Sequence, residues 1–340
     1  MTSLESDRTC TIRHHAYRTA LHDAIFNIVG ARPGAFVWII GPSGAGKSHL
    51  RSEIARHLVG DSSQWGVGRL PLVSVRAAAT DRNKFNPKDL ARRLADSLRE
   101  PNLGFLMANA SSADLGPIKK YLNGVERSYT FVGRRDSSEH AMRHEFERHA
   151  RVRQLKWLFI EEVASITKVH RGQSIENYMT SLMQIAEETG VVLVLFGTHR
   201  ALPLWLQNEE VRNRSRWVWV RRYRESEGSD LRPFAEMVRA SGERFKLSKV
   251  DLLTNDLELA LTNSAGVMGS LLNWLERADG QRNLRGGTSI RAADLREATL
   301  EFDLQEDLWR SARAFDEIAD ARGHFDLSGL TKRVAWRGDE

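Results

Sequence analysis

Short apolar runs recur along the first two thirds of the chain, between longer stretches with helical spacing. The runs are rich in β-branched and aromatic residues without alternation, which favours strands buried on both faces. Five strands are predicted, at residues 35–40, 71–75, 155–160, 191–196 and 217–220. Between them the spacing predicts helices at 48–58, 87–98, 140–153 and 175–188. This order predicts an α/β fold with a parallel sheet flanked by helices.

The pattern changes after residue 225, because no convincing strand follows up to residue 302. Helical spacing is found there at 231–241, 256–262, 268–278 and 291–302, separated by glycines. We therefore predict four parts. They are an N-terminal helical extension at 1–34, an αβα domain at 35–225, a small all-helical domain at 226–302, and a C-terminal helix and tail at 303–340.

Composition indicates a globular protein. The 340 residues are 41% hydrophobic, enough for a sizeable core in about two domains. The first residues lack the apolar run of a signal peptide, and no segment reaches the roughly 18 apolar residues of a membrane span. We therefore expect a soluble, cytoplasmic protein with no membrane partner. The single cysteine, Cys10, excludes an internal disulfide framework.

The net charge of +6 is distributed unevenly. The last forty residues hold ten acidic and six basic side chains, so the positive excess lies in the first 300 residues. Such an excess indicates contact with a polyanion, although arginine-rich surfaces also serve solubility alone.

A motif that carries chemistry directly follows the first predicted strand. Its residues fit the phosphate-binding pattern G-x-x-x-x-G-K-[ST], in which glycines let backbone N–H groups approach phosphates at a helix N-terminus. Lys47 is expected to hold the β- and γ-phosphates, and Ser48 to bind Mg²⁺. The predicted nucleotide-binding residues are Gly41, Pro42, Ser43, Gly44, Ala45, Gly46, Lys47, Ser48 and His49.

Two adjacent glutamates, Glu161 and Glu162, follow the third predicted strand. At this place in P-loop ATPases one carboxylate supports Mg²⁺ and the next polarises the attacking water. We assign Glu161 to the metal and Glu162 to the water; the alternative is a pair of surface glutamates. Glu161 is one methylene longer than the usual aspartate, which predicts a weakened or water-mediated metal contact.

Thr198 follows the fourth predicted strand, where a hydroxyl can sense the γ-phosphate or orient the water; helix capping is the alternative. Residues 200–224 hold seven arginines and only two glutamates. Among Arg212, Arg214 and Arg216, we predict that Arg214 reaches the nucleotide of a neighbouring subunit. A basic surface loop or DNA contact are the alternatives.

In this order the motifs resemble those of AAA+ ATPases, and more closely those of the TniB/TnsC family of transposition regulators of Tn7-like and CRISPR-associated transposons. The resemblance covers residues 35–300. It is carried by GPSGAGKSHL, LKWLFIEEV, VVLVLFGTHRA and VRNRSRWVWV, and then by SAGVMGSLLNWLERA and GGTSIRAADL. The chain departs from the family at Glu161, and residues 266–269 lack the arginine that many AAA+ proteins place there.

The resemblance implies a five-stranded AAA+ P-loop domain with a helical lid, and ATP and Mg²⁺ as cofactors. It also implies an ATPase that forms a homo-oligomer, a ring or a helical filament, on double-stranded DNA in the nucleoid. Such an ATPase presents target DNA to a transposase, works with a TniQ-like target selector, and disassembles on hydrolysis. A replication initiator or helicase loader is an alternative, although an initiator would be expected to carry a winged-helix domain after residue 300. A P-loop kinase or phosphotransferase is the third alternative.

Basic residues between the second and third predicted strands are candidates for contacts to DNA phosphates, since no base-reading module is evident. They are Lys84, Lys88, Lys119, Lys120, Arg134 and Arg135. Simple solvation is the alternative for each of them. The acidic amphipathic stretch 303–322 either docks on a basic protein partner or packs on the lid of its own chain.

Overall fold

The structure is a computed structural model that describes residues 12–61, 64–81, 84–99, 101, 138–169 and 174–321. Four of the predicted DNA-contact residues, Lys119, Lys120, Arg134 and Arg135, lie outside these ranges. The strands are β1 Phe36–Ile40, β2 Leu72–Arg76, β3 Ala79–Asp81, β4 Lys84–Phe85, β5 Trp157–Glu161, β6 Val192–Gly197 and β7 Ser215–Trp219.

The helices flank the sheet and continue beyond it. They are α1 His15–Val29, α2 Lys47–Val59, α3 Pro87–Arg99, α4 Glu139–Val152, α5 Ile175–Thr189, α6 Leu202–Leu206, α7 Glu209–Asn213, α8 Leu231–Gly242, α9 Leu257–Ser264, α10 Met268–Leu284, α11 Ala292–Glu297 and α12 Phe302–Ala321. A 3-10 turn, Val163–Lys168, follows β5.

Five strands form one parallel sheet in the order β2-β5-β6-β1-β7. The central strands β1 and β6 are buried along their whole length, as their unbroken apolar runs predict. The predicted fold class, an AAA+ P-loop sheet between helices with a helical region after it, is confirmed. The register sets Ile40 beside Gly197 and Phe196 beside Glu161, so the carboxyl ends of three strands meet at one edge.

The sequence did not predict the antiparallel hairpin β3–β4, which connects β2 to α3. Its strands have three and two residues, too few for a period of two to be recognised. The hairpin packs against the 3-10 turn Val163–Lys168. It therefore lies directly behind the loop that carries Glu162.

Two large apolar cores stabilise the described residues, beside a small cluster of Ala91, Ala95 and Met142 between α3 and α4. The larger surrounds the sheet, and the smaller one is formed mainly by helices α8 to α11 around Trp274, Leu271 and Val238. Residues 226–302, all of which the structure describes, contain helices and a single isolated β-bridge between Leu247 and Ile290. The bounds of the four parts given above remain predictions.

The C-terminal helix α12 packs on the sheet domain as well as on the helical region. Its Phe315 is fully buried, with its ring centre 5.9 Å from that of Trp219 in the edge strand β7. Asp316 forms an ion pair with Arg222 at 2.7 Å, and the indole of Trp309 donates to the carbonyl of Thr262 at 3.0 Å. Of the two alternatives given for residues 303–322, the structure shows packing on the same chain, and this packing includes the half-buried ring of Trp219 on β7 as well as the helical region.

Stacked rings continue this contact into the sheet. Trp219 stacks on Trp217 at 5.1 Å, and Trp217 stacks on Trp38 of β1 at 5.3 Å. Offset aromatic pairs at such distances add to the stabilisation from buried area. No helix in the described part of the chain is both long enough and apolar enough to cross a membrane.

Phe315→Ala should lower the free energy of unfolding by about 3–5 kcal/mol, since the cavity would lie between α12 and β7. Leu304→Ala on the same helix is the control: its side chain is 53% exposed, and a change within about 0.5 kcal/mol is expected. Urea denaturation measures both. Equal, small effects of the two changes would show that α12 does not pack on the sheet in solution.

Candidate functional site

A cleft of about 950 Å³ lies at the carboxyl ends of β1, β5 and β6, and the start of α10 forms its opposite wall. Most of the predicted nucleotide-binding residues line it: Ser43, Gly44, Gly46, Lys47, Ser48 and His49. The remaining three, Gly41, Pro42 and Ala45, are buried beneath the loop. Their role is therefore to shape the loop and pack it on the core.

The P-loop backbone needs glycine at two positions. Gly44 and Gly46 have φ angles of +80° and +79°, a region that side chains disfavour, and Gly46 precedes the first turn of α2. The amine of Lys47 donates to the carbonyls of Gly41 at 2.9 Å and Pro42 at 2.6 Å. Burial lowers the pKa of the Lys47 amine to about 8.

The helical region 226–302, called the lid below, contacts the P-loop, residues 41–48, through Gly269 and Gly44. The backbone N–H of Gly269, in the first turn of α10, donates to the carbonyl oxygen of Gly44 at 2.9 Å. A Cβ atom on Gly269 would lie 2.6 Å from that oxygen, closer than a carbon can approach. The close packing of lid and P-loop therefore requires glycine at position 269.

Both predicted carboxylates line the cleft, and each is paired with an arginine. Glu161 forms an ion pair with Arg51 of α2 and accepts a hydrogen bond from the hydroxyl of Ser74 at 3.2 Å. Glu162, half exposed, forms an ion pair with Arg76 at the end of β2. Glu162 also has a φ angle of +55°, which is uncommon for a residue with a side chain and recurs at functional sites.

Thr198 lines the cleft directly after β6, beside Gly197. A Cβ on Gly197 would lie 2.8 Å from Val163, so this glycine allows the strand to pass close to the turn after β5. His199 follows, and burial together with Arg200 and Lys47 lowers the pKa of its imidazole. Thr198 thus lies in the cleft after the strand that neighbours β1, and its contact with a phosphate or a water stays a prediction.

Four other side chains of the cleft lining are apolar or aromatic: Ile12, Tyr17, Met268 and Leu272. His14 lies there too, with its Nδ1 3.0 Å from the hydroxyl of Tyr223. Burial, with smaller contributions from neighbouring positive charges, lowers the pKa of His14 to about 4. These side chains can accept a planar, uncharged ring.

The sequence profile of a family described as AAA domain matches residues 31–205, just over half of the chain. The chain belongs to the AAA domain family. No curated protein sequence matches it.

Solved structures share the fold of this AAA domain protein at low sequence identity. ORC2 of Aeropyrum pernix is 14% identical with a TM-score of 0.52, over 83% of this chain and 65% of its own. Cdc6p of Pyrobaculum aerophilum is 13% identical with a TM-score of 0.52, over 88% and 70%. Drosophila ORC is 12% identical with a TM-score of 0.50, over 97% and 80%. The chain thus spans less than two thirds of the length of Aeropyrum pernix ORC2.

In this AAA domain protein, Arg214 lies at the amino ends of the strands, the edge of the sheet opposite to the P-loop. Its carbonyl accepts from the N–H of Phe36, the first residue of β1, whereas the P-loop follows the last residue of that strand. The five residues between them span roughly 15 Å. The exposed guanidinium pairs with Glu187 and does not line the cleft of its own chain.

Several residues at the cleft were missed in the sequence. They are His14, Tyr17, Arg51, Arg76, Arg200 and Arg244. Arg244 reaches the cleft from the lid, after α8, although residues 266–269 supply no arginine. A signal existed for Arg51, which follows Lys47 by four residues and so lies on the same helix face.

The oxygen-bearing side chains beside the P-loop fit Mg²⁺, which prefers hard oxygen ligands. Ser48 and Glu161 both line the cleft and would hold the ion, as the sequence predicts. One oxygen of Glu161, however, already accepts from two donors, Arg51 and Ser74.

Nucleotide affinity should fall as the pH rises through about 8, because the Lys47 amine loses its proton there in the free protein. A bound polyphosphate favours the charged amine and raises its pKa, so binding takes up a proton above pH 8 and is strongest below it. The expected loss is up to about tenfold per pH unit.

Fluorescent-nucleotide titration across this pH range measures the effect. Lys47→Arg is the control, because a guanidinium keeps its charge throughout. Parallel pH curves for the two proteins would assign the dependence to another group.

Proposed function

We propose that this chain is an ATP-driven switch that assembles as a homo-oligomer, a ring or a helical filament, on double-stranded DNA. Assembly recruits or activates a transposase, and ATP hydrolysis drives disassembly. The observation that carries this proposal is the separation of Arg214 from the cleft of its own chain. A cation at the far edge of the sheet can complete only the nucleotide site of a neighbour.

The cleft supports ATP as the nucleotide. The triphosphate would bind along the P-loop and contact Lys47, and the adenine ring would lie against the apolar side chains of the lining, beside Tyr17 and Leu272. When bound, Mg²⁺ would neutralise charge on the β- and γ-phosphates. Once Glu162 is released from its ion pair with Arg76, its carboxylate would orient the attacking water. Thr198 would contact the terminal phosphate.

The exchange of charged partners would couple assembly to the nucleotide. Arg214 pairs with Glu187 at an exposed position, where an ion pair contributes only about 0–1 kcal/mol. The γ-phosphate of a neighbouring ATP offers more negative charge and stronger, charge-assisted hydrogen bonds. ATP would therefore draw Arg214 across the interface, and loss of the γ-phosphate would remove the attraction.

Double-stranded DNA as a partner is supported by exposed lysines on the hairpin side of the sheet. Lys84 in β4 and Lys88 in α3 are both exposed, and β3–β4 packs on the turn after Glu162. Lys119, Lys120, Arg134 and Arg135 remain predicted contacts. The solved structure of Drosophila ORC is described as bound to DNA.

The role in transposition, with a TniQ-like target selector and a place in the nucleoid, is proposed from the ordered motifs that resemble the TniB/TnsC family. The fold similarity to archaeal ORC2 and Cdc6p favours a second candidate, a replication initiator or helicase loader. A strand-transfer assay with a Tn7-like transposase separates the two. ATP-dependent stimulation supports the transposition role, and stimulation of helicase loading instead would support the second candidate.

Electron microscopy with double-stranded DNA and a slowly hydrolysed ATP analogue should show rings or filaments, and none with ADP. Arg214→Ala should abolish them while nucleotide binding stays unchanged, since this side chain does not line its own cleft. Arg232→Ala, in an exposed pair with Glu236, is the matched control and should assemble normally. Monodisperse protein in every condition, or normal assembly of Arg214→Ala, would contradict the proposal.

The double change Lys84→Ala with Lys88→Ala should weaken DNA binding and reduce the slope of log affinity against log salt by roughly two units. The reason is that DNA binding releases about one counterion fewer for each phosphate contact that is lost. Lys246→Ala with Lys249→Ala, two exposed lysines on the lid, is the control. An unchanged slope for the hairpin pair would place the DNA elsewhere.

A further inference from the structure

Arg51 occupies a position beside the carboxylate that was assigned to the metal. It lies one turn after Lys47 on α2, and its guanidinium forms an ion pair with Oε1 of Glu161. The hydroxyl of Ser74, on β2, donates to the same oxygen at 3.2 Å. The two charged side chains are only 22% and 23% exposed, so water screens their attraction weakly.

This pairing and a metal contact make opposite demands on Glu161. Oε1 of Glu161 accepts from both a guanidinium and a hydroxyl, so a metal would have to bind through Oε2 of a carboxylate that Arg51 already orients. Mg²⁺ requires near-ideal octahedral geometry, and a positively charged guanidinium beside the carboxylate repels a second cation. A glutamate reaches one methylene further from its strand than an aspartate, which helps it meet Arg51.

We propose that Arg51 competes with Mg²⁺ for Glu161, so that this chain binds nucleotide with a weakened requirement for Mg²⁺. The inference rests on the proposed nucleotide site. Arg51 is a positioning residue here: its ion pair holds the carboxylate of Glu161 away from the ion.

The test is the affinity for a fluorescent, slowly hydrolysed ATP analogue, measured with Mg²⁺ and with excess chelator. The wild-type affinity should change by less than about threefold between the two conditions. Arg51→Gln and Glu161→Asp both free the carboxylate, and each should show a change of about tenfold or more. Arg310→Gln, in an exposed pair on α12, is the control and should behave as the wild type.

A double variant separates competition for Glu161 from the general effect of removing a positive charge. Arg51→Gln combined with Glu161→Gln should lose the gained dependence on Mg²⁺, because no carboxylate remains to be freed. A tenfold dependence that persists in the double variant would overturn the proposal, since Arg51 would then act directly on the phosphates.

The remaining outcomes are also decisive. A wild type as dependent on Mg²⁺ as Arg51→Gln overturns the inference and leaves the nucleotide site intact. No binding by any variant in any condition contradicts the nucleotide site itself. If thermal unfolding shows that Arg51→Gln does not fold, Glu161→Asp alone decides, because it shortens the carboxylate without deleting a charge.

Discussion

The parallel, in-register pairing of β5, β6 and β1 is the constraint on which the cleft depends. Ile40 pairs with Gly197, and Glu161 pairs with Phe196, so the loops that follow these strands begin at the same level. Because side chains alternate between the two faces of a strand, a slip of one residue would turn Glu161 away from the P-loop. The buried apolar residues of these strands therefore fix the relative positions of the polar groups, although they touch no ligand themselves.

Arginine–carboxylate pairs, some buried and some exposed, position the charged groups around the sheet. Arg222 is almost fully buried, pairs with Asp316, and also donates to the carbonyl of Ala265, so it ties α12 to the turn between α9 and α10 of the lid. Removing one partner of such a buried pair is strongly destabilising. The pairs of Arg76 and Arg214 are exposed and contribute little. The two charges that the proposed switch would move thus lie in weak, exposed pairs, and the buried pair of Arg222 holds α12 in place.

The sequence predicts the sheet well because continuous apolar runs are a strong signal, and it predicts the P-loop and the two glutamates because the motif fixes their spacing. The hairpin β3–β4 is too short for periodicity to show. The pairing of Arg51, Ser74 and Arg76 with their carboxylates could not be predicted, since each pair joins elements that are distant in sequence. The packing of α12 on Trp219 was missed for the same reason: its apolar face was evident, but the ring that covers it belongs to another element.

The contact between Gly44 and Gly269 has an electrostatic consequence. Helix α2 begins at the P-loop, and the first turn of α10 points an N–H group at the same loop, so two helix N-termini converge on it. Each such terminus carries roughly half a positive charge. The backbone alone therefore gives the P-loop region of the cleft a positive potential, and part of that potential comes from the lid. Any tilt of α10 changes the field at the phosphates, so the orientation of the lid and the attraction for an anion are coupled without any side chain.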